Sequence, residues 1–458
     1  MSGMQSKGAS AGPGGVSAGS GKASSGPLYQ RLPHGPHRLG TEEVVRNQRT
    51  RMHGAMIEAV AANGYEGTSV KQVVSLAGVS RRSFYEQFAN KQECFLATYD
   101  VIAKRGARRV AGAYRKANGD VETRMQAAFG ELGHAMSTNW NSANLVILEA
   151  PKVGAPALLR LRRASTTFEQ MLAATFEHTS AQTPLPGPVI RGIAGGLHAA
   201  MSSCLREGSA EAAPQLADEM FRWTLLFQTP AAKQLAESLS ARARKALAQG
   251  RKAPSRARTA ANGATRDERE RLLEQALRLS VLEGYREISA PQIADAANVP
   301  IDAFFELFAG KDDCFLAALD MLGEQLKTLA TDPDLRGSEW PQAVRRTIGE
   351  LMVYLADNPI YAHTIAEGAF AAGPEATARN LRLAYGIAAR LTEGAPDEAR
   401  SVLVVQGVAG ALSHTVRCQV ASGQIQLLTV LADYLTYIVL TPFIGAEQAA
   451  TMLVEEAA

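Results

Sequence analysis

The sequence is poor in cysteine, and its apolar stretches are short. Four cysteines in 458 residues do not indicate a disulfide framework, and Cys94 and Cys314 each lie in an apolar Cys-Phe-Leu-Ala stretch typical of buried residues. No uninterrupted apolar run reaches the ~18 residues of a membrane span, and residues 1–40 contain no signal-peptide core. The sequence therefore predicts a cytoplasmic protein with no membrane contact.

Motifs of enzymes and metal sites are also scarce. The sequence has no HExxH and no CxxC motif, and its eight histidines are not spaced like metal ligands. Gly21-Lys22 is not preceded by a strand pattern, so it does not indicate a phosphate loop. We therefore expect no catalytic residues, no metal and no cofactor.

A repeat divides the chain into two similar halves. Gly64–Asp100 recurs as Gly284–Asp320 at a constant offset of 220, with 16 of 37 positions identical. Near the end of each half, Gly192–Leu197 matches Gly407–Leu412 at an offset of 215. A fixed offset near half the chain length predicts two copies of one architecture.

The two copies carry opposite charge. Residues 46–109 contain 11 Lys/Arg and 5 Asp/Glu, whereas the aligned residues 266–329 contain 7 and 13. Because phosphate contacts dominate affinity for nucleic acid, the first copy suits DNA and the second repels it. Residues 241–258, with seven Lys/Arg and no acid, indicate a solvated linker.

Capping signals place short helices in the first copy. Thr41 begins a helix that ends at Asn63-Gly64, and Ser69-x-x-Gln72 is a capping box for the next. After the glycine turn at Ala77-Gly78, Ser80 caps a third helix, and Asn90 caps a long fourth. Strand-like alternation is scarce throughout, so the fold class is all-α, with a helix-turn-helix unit at the start of each half.

The third helix has the chemistry of a DNA reader. Arg81 and Arg82 can pair with guanine edges or phosphates, and the hydroxyls of Ser80, Ser83 and Tyr85 can donate. Lys91 opens the fourth helix, where its ammonium and the free backbone amides suit a phosphate. A solvated helix face is the alternative for Arg81 and Arg82.

These residues resemble the DNA-binding head of the TetR family of bacterial transcriptional regulators. The resemblance is carried by Gly64-Tyr65, Thr68–Val70, Ala77–Ser80 and Phe84–Lys91. It implies an all-helical protein that dimerises through its last two helices, binds a palindromic operator and releases it when a small molecule binds. It also implies phosphate contacts by Thr68, Tyr85 and Lys91 and base contacts by Arg81 and Arg82. The full predicted DNA-binding set is Thr68, Ser69, Ser80, Arg81, Arg82, Ser83, Tyr85, Lys91, Arg46 and Arg49. Arg46 and Arg49, together with Arg51, are expected to follow the DNA backbone or the minor groove; plain solvation is the alternative for these three.

The second copy departs from this pattern at the reading positions. Ser80-Arg81-Arg82-Ser83 becomes Pro300-Ile301-Asp302-Ala303, and Tyr85 becomes Phe305. A carboxylate then faces any DNA, and Pro300 removes a backbone donor. We predict a degenerate head, in which Lys311 is a helix-capping or solvated residue.

The predicted domains are a disordered tail (1–40), a head (41–100), a helical effector and dimerisation domain (101–240), a linker (241–262), a degenerate head (263–320) and a second effector domain (321–458). The expected function is a ligand-responsive repressor that reads DNA with its first head; the alternative is a ligand- or partner-binding module that reads no DNA. The partners are an operator and an unidentified small molecule. The candidate pocket residues are His134, Trp140, Glu149 and His178 in the first half and Tyr361, His363, Glu367, His414 and Arg417 in the second; a surface or core position without ligand contact is the alternative for each.

The sequence leaves two alternatives for the assembly. The halves pair within one chain through residues near 190–228 and 401–441, forming a pseudo-dimer. Otherwise, the first halves of two chains pair as a homodimer.

Overall fold

A computed structural model of the chain describes residues 41–177, 185–228, 235, 237, 239, 267–337 and 339–455. The predicted tail (1–40) and linker (241–262) lie outside these residues. Regular structure in the described part is helical, which confirms the all-α fold class.

The first head consists of α1 (Thr41–Gly67), α2 (Val70–Ala77), α3 (Arg81–Tyr85) and the start of α4 (Lys91–Lys116). Helix α1 is kinked at Gly64, whose φ of 67° lies in the left-handed region that favours glycine. The predicted capping box at the start of α2 is present, and Gly78 ends that helix with φ 60°. Phe84, Phe88 and Phe95 fill the core of this head, which Leu145 and Ala150 of the following body also enter.

The first body continues with α5 (Val121–Thr138), α6 (Trp140–Asn144), a π-helical turn (Leu145–Glu149), a 3-10 turn (Ala150–Val153), α7 (Ala155–Phe176), α8 (Gly187–Glu207) and α9 (Ala213–Leu225). The N-terminal half of α4 lies in the head and its C-terminal half lies against α5 in the body. Helix α4 therefore links the two parts mechanically.

The second half repeats this order. Its head has α10 (Glu268–Leu279), a π-helical turn (Ser280–Gly284), α11 (Ala290–Ala297), α12 (Ile301–Leu307) and α13 (Lys311–Leu329). Its body has a 3-10 turn (Pro333–Arg336), α14 (Trp340–Asp357), α15 (Pro359–His363), a π-helical turn (Thr364–Gly368), α16 (Ala369–Ala371), α17 (Pro374–Leu391), a 3-10 turn (Asp397–Ala399), α18 (Val402–Ala421), a 3-10 turn (Ile425–Leu427), α19 (Leu428–Ile444) and α20 (Ala446–Glu455).

The two halves pack against each other mainly through the equivalent helices α8 and α18. A Cβ atom on Gly195 would lie 2.7 Å from the carbonyl oxygen of Gly410, its equivalent at offset 215. Trp223 of α9 contacts Gly407 of α18, and the equivalent pair, Ile438 and Gly192, also contacts. Such reciprocal contacts define an isologous interface, so the halves are arranged like the subunits of a two-fold dimer.

The heads also touch near this approximate two-fold axis. Glu66 of the first head forms an ion pair of 3.2 Å with Arg286 of the second head. The two residues occupy equivalent positions, 220 residues apart. Both side chains are more than half exposed, so the pair contributes little to stability. The relative position of the heads is therefore determined mainly by the bodies.

One apolar core extends through both bodies, from Met125 in α5 to Leu453 in α20. Within it, the stretch Ile425–Ile444 is, by length and composition alone, apolar enough to cross a membrane. No such stretch was predicted from the sequence. Most of this stretch is buried inside the protein, and Asp433 within it pairs with Arg345 of α14. These contacts are those of a core helix, and burial explains its composition.

Candidate nucleic-acid interface

The predicted reading helix presents its two arginines to solvent. Ser80 begins α3 as its N-cap, with its hydroxyl oxygen accepting from the Ser83 N–H at 3.0 Å. Arg81 and Arg82 follow at the exposed N-terminal end, and Arg82 pairs with Glu86 one turn later. Because an exposed i, i+4 ion pair is weak, the Arg82 guanidinium can exchange Glu86 for another anion. Both guanidinium groups are therefore available to DNA.

Further hydroxyls surround this helix end. Tyr85 is 56% exposed although it follows the buried Phe84, so its phenol stands on the outer face of α3. Ser69 is exposed at the start of α2, and Ser80 and Ser83 lie close together, with their hydroxyl oxygens 2.9 Å apart. The structure thus places Ser69, Ser80, Arg81, Arg82, Ser83 and Tyr85 in one head, and their contacts with DNA stay predictions.

Two predicted phosphate ligands are engaged inside the head instead. The Thr68 side chain is buried, and its hydroxyl donates to the Gly64 carbonyl at 2.7 Å. The Lys91 ammonium donates to the Tyr65 carbonyl at 2.8 Å and lies 4.3 Å from the centre of the Tyr65 ring. A phosphate contact through the Thr68 hydroxyl does not match this conformation, and Lys91 has a structural role whether or not it also meets DNA.

The structural role of Lys91 explains why the lysine persists in the second copy. Lys311 donates to the Tyr285 and Ile288 carbonyls at 3.0 and 2.8 Å and lies over the Tyr285 ring. Both ammonium groups thus bind carbonyl oxygens of the segment that leads from the first helix of their head to the second. The helix-capping interpretation of Lys311 agrees with this geometry.

The arginines at the entry to α1 divide into structural and exposed groups. Arg51 is buried, and its guanidinium donates to the carbonyls of Ala77 and Gly78, at the end of α2. Its expected place on the DNA backbone is therefore wrong. Arg271, the equivalent of Arg51 at offset 220, donates to the Ala297 carbonyl in the same way. The presence of an arginine at this position in both heads was a signal of a structural role that the sequence already contained. Arg49 stacks over Phe88, as Arg269 does over Phe308.

Arg46 lies one turn before Arg49, and both side chains are exposed on α1. Their position leaves them accessible to a phosphate backbone. The predicted contacts of Arg46 and Arg49 with DNA stay predictions.

The second head keeps its fold and loses this surface. Phe304, Phe308 and Phe315 are buried as their equivalents are, and Asn298 takes the left-handed turn with φ 53° in place of Gly78. The positions of Arg81 and Tyr85 hold the exposed apolar side chains Ile301 and Phe305. An apolar and acidic face cannot form the charge-assisted contacts that DNA requires.

Glu149 connects the first head to its body, a role that its residue type alone did not indicate. Its buried carboxylate accepts from the Tyr65 N–H at 2.8 Å and pairs with Lys152. The equivalent position of the second half, at offset 219, is Gly368, so this link exists only beside the first head. A second head–body contact, Arg160 with Asp100, does recur, as Arg379 with Asp320.

Several of the expected pocket residues form contacts between parts of the protein. Glu149 binds the head, His178 lies outside the described residues, and His414 and Arg417 lie on α18 at the interface between the halves. Glu367 also faces the other half, 3.8 Å from Arg162. None of the described candidates lines the apolar cavity between α4, α5 and α7 of the first body.

At the interface between the halves, Glu169 lies beside His414 and Cys418, and their possible ligand atoms are within 4.8 Å of one another. Sequence spacing did not reveal this group because Glu169 is 245 residues from His414. Arg417 lies within hydrogen-bonding distance of His414 Nδ1, and Arg191 lies 3.7 Å from Glu169. Donation from Arg417 leaves the proton on Nε2, facing Glu169, and two guanidinium charges oppose a dication. The geometry fits a polar contact between the halves.

Comparison with known proteins agrees with the two heads. The family model for bacterial regulatory proteins of the TetR family matches residues 55–98 and 272–318. Each head is therefore a TetR-family helix-turn-helix domain, and the class of protein is a helix-turn-helix transcriptional regulator that binds DNA. The chain thus contains two TetR-family helix-turn-helix domains in one polypeptide.

Three solved structures are similar to parts of the chain. They are a fatty acid degradation regulator, FadR, from Bacillus halodurans (15% identity, TM-score 0.36), a TetR-like transcriptional regulator from Rhodococcus sp. RHA1 (16%, 0.34) and a transcriptional regulator from Pseudomonas aeruginosa PAO1 (16%, 0.32). The alignments cover 41%, 41% and 40% of this chain and 97%, 98% and 91% of those chains. A search of curated proteins finds no match.

Proposed function

We propose that this protein is a ligand-responsive repressor of the bacterial cytoplasm that reads its operator with the first head alone. The observation that carries the proposal is the contrast between equivalent helices. Helix α3 exposes Arg81, Arg82 and Tyr85, whereas α12 presents Ile301, Asp302 and Phe305 at the same positions. One head therefore has the donors that DNA recognition needs, and the other has kept only the framework.

The proposed assembly is a pseudo-dimer within one chain. Its support is the reciprocal contact of α8 with α18 and of Trp223 and Ile438 with glycines of the other half. One working head per chain covers one half-site, so two chains are needed to occupy a palindromic operator. Sedimentation of a complex with a short duplex that carries one half-site, compared with the full palindrome, measures this stoichiometry.

Ligand control is proposed to act through α4. This helix begins at Lys91 inside the head, and its C-terminal turns form one wall of a cavity in the first body. The buried Glu149–Tyr65 contact adds a second connection between body and head. A ligand that prefers one position of α4 then shifts the population of heads able to enter the groove, and a ligand with equal affinity for both positions has no effect.

The experiment that tests the proposal is a titration of DNA from upstream of the protein's own gene, at several salt concentrations. We expect tight, salt-dependent binding that the double substitution Arg81→Ala/Arg82→Ala weakens, with loss of preference over unrelated DNA. The control is Ile301→Ala/Asp302→Ala, at the equivalent positions of the second head. Equal weak binding by all three proteins would instead favour a ligand- or partner-binding module.

A further inference from the structure

We infer that the first body binds an amphipathic anion, one molecule per chain, and that the second body binds none. The inference deepens the proposed ligand response and rests on it. Its basis is the chemistry of one cavity and the loss of that cavity in the other half.

The cavity in the first body has a volume of about 630 Å³ and lies between α4, α5 and α7. Its walls are apolar, with Tyr114, Met125, Phe129, Phe168 and Leu172 among the lining residues. This volume lies within the range of small-molecule sites, and walls of this kind accommodate an alkyl chain or a ring system.

Two arginines give the cavity its polarity. Arg115 at the end of α4 and Arg124 in the first turns of α5 both line it, and both are exposed enough to meet solvent at its mouth. The lining contains no Asp or Glu, and the Thr175 hydroxyl is already donating to the Met171 carbonyl at 2.7 Å. An anionic group at one end of an apolar ligand would therefore meet two guanidinium groups and no competing carboxylate.

The second body has closed the corresponding space. At offset 219, the α5 residues that line the cavity correspond to α14 residues packed in the core, among them Trp340, Val344, Ile348 and Leu351. At offset 219, Arg124 corresponds to Ala343, which is fully buried. Only the half with the DNA-reading head thus keeps both the space and the positive charge.

The shorter helix α13 explains the loss of one wall. Helix α4 has 26 residues and α13 has 19, so the second half lacks the helical turns that carry Tyr114 and Arg115 in the first. The chain there forms the 3-10 turn Pro333–Arg336, and the buried Trp340 follows it.

The test uses the full-length protein, without DNA, and three probes that share a decyl chain: decanoate, decanol and decyltrimethylammonium. Isothermal titration below the micelle concentration measures affinity and stoichiometry. We expect one decanoate per chain, bound about tenfold or more tightly than the ammonium compound, since a charge-assisted contact is worth roughly 1.4 kcal/mol or more. Arg115→Gln/Arg124→Gln should remove that preference and leave decanol binding unchanged.

Two further variants separate charge from space. Arg105→Gln/Arg108→Gln removes two arginines that lie on α4 outside this cavity, and it should leave decanoate binding unchanged. Ala128→Trp fills the cavity and should abolish binding of all three probes while the helical circular dichroism is retained.

Equal affinities for the three probes, two decanoates per chain, no binding of any probe, or an equal loss in the Arg105/Arg108 variant would each overturn the inference. Because no DNA is present, these outcomes are independent of whether the first head reads an operator.

Discussion

Gly195 and Gly410 occupy equivalent positions in the two halves, and each lies against the backbone carbonyl of the other. A Cβ on Gly195 would be 2.7 Å from the Gly410 oxygen, and one on Gly410 would be 2.6 Å from the Ala199 Cβ. Neither distance is compatible with an added side chain unless the helices move apart. The close approach of α8 and α18 therefore depends on two glycines near the approximate two-fold axis.

Replacing Gly410 with alanine should destabilise the protein by about 1–3 kcal/mol, the usual cost of overpacking a rigid interior. Gly130→Ala is the matched control, because a Cβ there meets nothing within 4 Å and Gly130 is exposed. That control should be neutral or slightly stabilising. Urea unfolding monitored by circular dichroism measures both, and equal midpoints for the two variants would contradict the packing described for α8 and α18.

Replacing Glu149 with alanine should loosen the first head from its body. The Tyr65 N–H would lose its acceptor inside the protein, which costs about 1–3 kcal/mol. Hydrogen exchange at Tyr65 should accelerate, whereas exchange at the equivalent Tyr285 should not change. Asp100→Asn is a useful control because the Asp100–Arg160 pair is largely exposed on the aspartate side. Exchange that is unchanged at Tyr65 would argue against a coupling role for Glu149.

Stability should decrease in mild acid. Burial, with a smaller effect of Arg49, lowers the pKa of His53 to about 4, and burial beside charged neighbours lowers the pKa of His198 to about 3. The unfolded chain, with histidine pKa values near 6.5, then binds more protons than the folded chain between about pH 6.5 and pH 4. The free energy of unfolding therefore falls as the pH decreases through this window.

The substitution His53→Gln checks this origin of the acid sensitivity. It removes the titrating group and keeps a donor for the Thr98 hydroxyl, which lies 2.8 Å from His53 Nδ1. The slope of unfolding free energy against pH should be shallower than in the unsubstituted protein. A slope identical to that of the unsubstituted protein would contradict the assignment to His53.

Restoring positive charge to the second head should restore affinity but not sequence preference. Ile301→Arg/Asp302→Arg places two arginines on a helix whose framework matches that of α3. The salt dependence of binding to unrelated DNA should steepen by up to about two units in the log–log slope. Pro300 and Phe305 would still lack the hydroxyl donors of Ser80 and Tyr85, so preference should not change. An unaltered slope would mean that the second head cannot reach DNA.

Much of the fold could be predicted from local signals. The Ser69 capping box, the Ser80 and Asn90 caps and the Gly78 turn involve residues close in sequence, and all four are present. The repeat likewise identified equivalent helices that the structure pairs. Long-range contacts could not be predicted in this way: Arg51 bonds to residues 26 and 27 positions away, and Glu149 to one 84 positions away.

The central claim is that the first head alone reads DNA, through Arg81 and Arg82. Fluorescence anisotropy with the upstream DNA, comparing the unsubstituted protein with Arg81→Ala/Arg82→Ala and Ile301→Ala/Asp302→Ala, tests it most directly. We predict that the first variant loses roughly 1–3 kcal/mol of binding free energy for each arginine that contacts a base, together with sequence preference, and that the second binds normally. Equal affinity of all three proteins for the upstream DNA would contradict the claim.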